Sequence, residues 1–100
     1  RFSKVYGRFE MRARVPSKAR GTWPAFWLLG DSLFSGAPWP QCGEIDVMEH
    51  FNRLADTELR FFSTAHAASY NWPDGTPLAG NFSTPANLSQ FHTFTLDWTP

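Results

Sequence analysis

Between residues 4 and 15 apolar or small side chains alternate with polar ones: Val5, Gly7, Phe9, Met11, Ala13 and Val15 share one parity, and Lys4, Tyr6, Arg8, Glu10, Arg12 and Arg14 the other. A period of two predicts a strand with one wet face. Pro16 ends it, and residues 17–21 predict a turn. Residues 22–29, TWPAFWLL, are apolar on both parities, the pattern of a strand covered on two sides, with Pro24 arguing for an edge or an irregular start. Residues 30–42 hold two Gly, two Pro and two Ser and predict a loop of a length that is often functional. Alternation returns in residues 43–51, GEIDVMEHF; residues 59–68 are a further strand candidate, and residues 91–98, FHTFTLDW, the last. Residues 69–90, rich in Pro, Gly, Asn and Ser, predict an irregular stretch. No segment keeps helical spacing over three turns, and short strands separated by turn signals predict an all-β sandwich.

Composition narrows the class. The 100 residues are 42% hydrophobic and 17% aromatic, with five Trp and ten Phe, against 18% charged. Such a chain folds, and it contains no apolar run near the ~18 residues of a membrane-spanning helix. Nine basic and nine acidic residues cancel, so no overall basic field exists to bind nucleic acid. Seven of the nine Lys and Arg lie in the first twenty positions, opposed there only by Glu10, which predicts a solvated strand face with acidic neighbours from elsewhere in the fold. Cys42 is the sole cysteine, so neither an internal disulfide nor a cysteine-based zinc site can form. Strand-like patterns abut both ends and no initiator Met or signal peptide is present, which predicts that residues 1–100 are the central part of a larger domain.

Chemistry concentrates in residues 43–51. On a regular strand Glu44 and Asp46 share a face, whereas Glu49 points inward with Ile45 and Val47, and a buried carboxylate is costly. A β-bulge at Val47 and Met48 restores the parity and lines up three carboxylates. The Cα atoms of Glu44 and Glu49 then lie roughly 13 Å apart, and side chains leaning together close about 3 to 4 Å each. The remaining gap is of the order of the ~5.5 Å of retaining glycosidases and tighter than the ~6.5–9.5 Å of inverting ones. Crowding raises the pKa of at least one acid. An edge strand carrying acids for solubility is the competing reading.

Aromatic residues add weight to the sugar reading. Trp23 and Trp27 are four apart on a strand and face the same way, and Trp39 lies in the loop leading to the acids. Indole rings stack on the C–H faces of sugars, although each Trp taken singly reads as core before it reads as a platform. Of the histidines, His50, His66 and His92, no two have the close spacing of a zinc motif. His66 either reaches into a cleft or is a hydrogen-bonded, half-buried histidine. No nucleophile-elbow motif supports a serine triad.

The stretches YGRFEMRARVP, GTWPAFWLLG, WPQCGEIDVMEHF and FHTFTLDW resemble glycoside hydrolase family 16, and most of all its laminarinase-type β-1,3-glucanases. The resemblance implies a jelly-roll β-sandwich whose concave sheet forms an open polysaccharide cleft, with only the central strands in this chain. By position, Glu44 matches the family's nucleophile, Asp46 the auxiliary acid and Glu49 the general acid/base. Trp23 and Trp27 match tryptophans of the glycone side, and His66 a histidine near the reacting sugar. The spacing E-I-D-x-x-E resembles the bulged laminarinases and marine galactanases rather than the E-x-D-x-E of the xyloglucan and lichenase branches. His50 and Phe51 depart from the Tyr and Gly-containing sequence of many laminarinases. The family's structural calcium involves terminal strands outside this chain, so no metal and no cofactor is expected here.

These readings lead to a retaining endo-glycosidase acting on β-1,3- or mixed β-1,3/1,4-glucan. The alternatives are a non-catalytic β-glucan-recognition protein with the same sandwich, whose relatives typically lack the acids, and a transglycosylase in which a sugar hydroxyl replaces water. The expected partner is a polysaccharide, with no nucleic acid and no membrane, for a protein monomeric when complete and extracellular or cell-wall associated. Sequons at Asn81 and Asn87 permit glycosylation.

Overall fold

The computed structural model describes residues 2–16, 21–51, 59–76, 78–84 and 89–100. They form six strands, β1 (Gly7–Ala13), β2 (Ala25–Leu29), β3 (Glu44–Glu49), β4 (Leu59–His66), β5 (Leu78–Thr84) and β6 (His92–Trp98), with one short 3₁₀ helix, Asp31–Ser35, after β2. β1 and β6 pair in one sheet, and the other runs β2-β3-β4-β5; every pairing is antiparallel. No helix among the described residues is long and apolar enough to cross a membrane.

The alternation along β1 has its expected effect on packing. Its apolar positions stand opposite those of β6, Phe9 across from Leu96 and Met11 across from Phe94. Together with β3 and β4 they close a core in which Val15, Val47, Met48 and Phe94 are buried and Met11, Ala13, Phe26, Phe61 and Leu96 pack around them. On the outer face the Arg8 guanidinium meets Asp97 at 3.0 Å and Glu10 at 3.1 Å, and Arg12 and Arg14 lie over the Phe91 ring at 4.6 and 5.5 Å. Asp97 is thus one of the acidic neighbours anticipated for the basic end of the chain. Exposed pairs of this kind hold the sheet only weakly.

Four expectations need correction. The first strand starts at Gly7 rather than residue 4, because Tyr6 (φ 62°) and Gly7 (φ 124°) leave the extended region. β2 begins only after Pro24 and is not covered on both sides: Phe26 faces the core, but Trp27 on the other face is 49% exposed. The loop after β2 contains the 3₁₀ helix. The stretch expected to be irregular contains β5, LAGNFST, whose backbone pairs with β4 from Leu59↔Thr84 to Ala65↔Leu78. Gly and Asn give that segment little strand signal of its own, and pairing with β4 overrides it. Asn81 lies within β5; Asn87 and most of the expected turn at residues 17–20 fall outside the described residues.

Met48 is 1% exposed at the centre of the core. Met48→Ala in the intact protein is expected to cost about 2–5 kcal/mol, read from the denaturant midpoint.

Candidate active site

The three acids sit on β3, and the register of both neighbouring strands shows how they are aimed. Along β2 the pairing passes from Trp27↔Asp46 to Phe26↔Met48, stepping over Val47. Along β4 it passes from Asp46↔Thr64 to Glu49↔Phe62, so that Val47 and Met48 together face Ser63. β3 therefore carries one residue more than either neighbour, a bulge at the expected place. Ser63 Oγ donates to the Val47 carbonyl at 2.8 Å, supplying a partner where the ladder is irregular. Val47 and Met48 both enter the core, and Glu49 returns to the face of Glu44 and Asp46.

Cross-strand partners complete this face in three rows: Leu29, Glu44 and His66; Trp27, Asp46 and Thr64; Ala25, Glu49 and Phe62. Asp46, at the centre, is 3% exposed. Burial, then the charges of Glu49 and Glu44, then a hydrogen bond with Glu44 raise its pKa to about 7. At 3.4 Å, His66 Nε2 approaches Asp46 Oδ2. Trp23 Nε1 donates to Glu49 Oε1 at 2.9 Å, while the indole itself remains 63% exposed. Trp23 and Trp27 thus stand open to solvent beside the acids.

Trp39 reaches the site from the long loop, its ring 5.6 Å from that of His66. Trp39 Nε1 and His66 Nδ1 are both buried without a hydrogen-bond partner among the described residues. The base of this loop is tight: Gly30 N donates to Gly43 O at 2.9 Å, and a Cβ on Gly30 would fall 1.7 Å from the Cys42 carbonyl oxygen. His66 is the last residue of β4 rather than a mid-strand residue, which places it opposite Glu44. A cavity of about 700 Å³ lies mainly between the two sheets, walled by Phe9, Leu28, Ile45, Ala65 and Trp98, and reaches Glu44 and His66 only at the edge of the carboxylate face. Asp46 and Glu49 do not line it.

Glu44, Asp46 and His66 each offer a ligand atom within 4.8 Å of the others. They are the one group among the described residues with the donors and spacing for a divalent ion. A cation held there would occupy the carboxylate of Glu44. Sequence reasoning noted Phe51 only as a departure from the family and did not single out Phe62: Phe51 meets the Trp23 indole edge-on at 4.5 Å, and Phe62 packs on Phe51 at 5.2 Å. It also passed over Ser63, whose contact with the bulge has no signal before the register is known.

The raised pKa of Asp46 links the site to stability. The folded protein holds a proton that the unfolded chain releases near the ordinary aspartate value of 3.8. This contribution is full below that value and is lost as pH rises through about 7. In the intact protein Asp46→Asn is expected to flatten the fall in unfolding free energy across this window, measured by urea titration at pH 4, 6 and 8.

With this geometry in place, comparison with known proteins identifies the lineage. Over residues 1–100 the chain matches the model of glycosyl hydrolases family 16. A β-glucanase of Rhodothermus marinus is 44% identical over 99 residues, covering 98% of this chain and 33% of that protein. A keratan-sulfate endo-1,4-β-galactosidase of Sphingobacterium multivorum is 35% identical over 100 residues, 100% of this chain and 22% of that protein. The X-ray structure of the laminarinase from Rhodothermus marinus superposes with a TM-score of 0.84 at 43% identity, over 99% of this chain and 38% of that one. The chain spans well under half the length of each, and its two sheets are part of an all-β sandwich of jelly-roll type. It belongs to glycosyl hydrolase family 16.

Proposed function

We propose that residues 1–100 form part of the catalytic domain of a retaining endo-glycosidase that cleaves β-1,3-glucan or mixed β-1,3/1,4-glucan. The observation that carries this reading is the row Glu44, Asp46, Glu49 on one sheet face, with the central acid buried and protonated up to about pH 7 and exposed indoles alongside. The relatives named β-glucanase and laminarinase support the substrate class. A secreted or cell-wall-associated monomer acting on a polymer fits the same reading.

In the first step Glu44 attacks the anomeric carbon while Glu49 gives its proton to the leaving oxygen. The Trp23 N–H, bonded to Glu49 Oε1, fixes the rotamer of that carboxyl and directs its other oxygen at the glycosidic bond. Asp46, sharing a hydrogen bond with Glu44, steadies the attacking carboxylate. When Glu44 becomes an ester its charge disappears, and one of the causes that raise the Asp46 pKa disappears with it. In the second step Glu49 takes a proton from water as its oxygen attacks the anomeric carbon, breaking the ester to Glu44 and restoring its carboxylate, and the sugar leaves with its anomeric configuration retained. A sugar hydroxyl in place of that water gives transglycosylation by the same route. Glucan binding without cleavage is the weaker reading because all three acids are present.

In the intact protein Glu44→Gln and Glu49→Gln are each expected to lower reducing-sugar release from laminarin by about 10²–10⁴-fold or more. Early products from the unaltered protein carry the β anomer by NMR. Residual activity near the unaltered level in either variant, or α products, overturns the assignment of roles.

A further inference from the structure

We propose that Trp72 is an outer sugar-binding platform, stacking on the apolar face of a pyranose in a glucan chain that runs past the Glu44 end of the carboxylate row. The inference rests on the glucan reading above and adds to it a contact outside the residues around the acids. Trp72 is 73% exposed, yet the loop that carries it is tightly built. Asn71 beneath it is 1% exposed, and its side chain bonds three ways: Nδ2 donates to Ala67 O at 3.3 Å and to Asp74 Oδ2 at 2.7 Å, and Oδ1 accepts from Asp74 N at 3.0 Å. Thr76 N donates to Asn71 O at 3.0 Å, and Gly75 N to Trp72 O at 2.9 Å. The latter bond closes a turn with Pro73 in its second position, where the ring presets φ, and Gly75 (φ 70°) as its last residue.

A large apolar ring on a mobile loop folds back onto its own surface at little cost. Here the buried asparagine and the turn hold the backbone fixed while the ring stays in water. Such a ring is pre-organised for a ligand, because the ordering entropy that binding usually demands has been met in folding. Location selects the occupant. The loop follows directly from His66, the last residue of β4, which pairs with Glu44. The Ala67–Tyr70 bridge turns the chain back there, and two residues span at most ~7 Å, so Trp72 is held near Tyr70, beyond the Glu44 end of the row of acids. No charged group is needed to hold a neutral pyranose, whose C–H face suits an indole.

The test uses the intact protein carrying Glu49→Gln, which slows cleavage, and measures affinity for laminarin and for a three-glucose β-1,3-oligosaccharide by calorimetry. Adding Trp72→Ala is expected to weaken laminarin binding about fivefold relative to the trisaccharide, and Trp72→Phe to recover most of the loss. An unaltered ratio of the two affinities overturns the proposal. If another part of the intact protein covers the indole, Trp72→Ala lowers the melting temperature and leaves that ratio alone, which also overturns it. Failure of the protein to bind either ligand with Trp72 intact removes the glucan reading itself, and this inference with it.

Discussion

The site depends on where one extra residue is absorbed. A strand that alternates strictly sends Glu49 into the same apolar layer as Ile45, where an ionised carboxylate has no partner. The bulge lets Val47 and Met48 both enter the core and returns the glutamate to the open face. Core formation and site formation are therefore a single event: the burial that stabilises the sandwich is also what turns the third acid outward. Ser63 holds the distorted backbone from the neighbouring strand, a polar contact that leaves the apolar packing of Met48 undisturbed.

The same geometry explains the unequal surroundings of the acids. Asp46 lies at the middle of the sheet between Trp27 and Thr64, with charge on either side along its own strand, and loses most of its water. Glu49 lies further out and finds an indole N–H instead. Three carboxyl groups on a single strand thus meet three environments, and differences of environment rather than of residue type are what allow groups of the same kind to divide acid, base and nucleophile work. Trp23 has two parts in this: its N–H orients Glu49, and its exposed ring rests edge-on against Phe51, which in turn packs on Phe62.

Much of this arrangement was legible before any coordinates. The parity conflict at Glu49 is a property of spacing alone, so the bulge could be located, and the four-residue step from Trp23 to Trp27 placed both on the side of the acids. Long-range pairing was not legible. β5 forms because β4 offers it a ladder, and nothing in LAGNFST announces that on its own. Tyr6 and Gly7 leave the extended region although the alternation runs through them, since hydrophobic pattern carries no information about φ. Likewise TWPAFWLL reads as buried on both faces because an exposed indole and a core indole are the same residue in a string of letters.

The close approach at Gly30 bears on how such a site can diversify. Its amide is tied to Gly43, and even a methyl group would collide with the backbone at Cys42, so the two ends of the long loop are fastened together at its root. The segment between them, which brings Trp39 to His66, is consequently a cassette: its tip can be lengthened or exchanged while the acids beyond the clamp keep their register. Under the proposed function, new sugar preferences arise at that tip while the row of acids is left undisturbed.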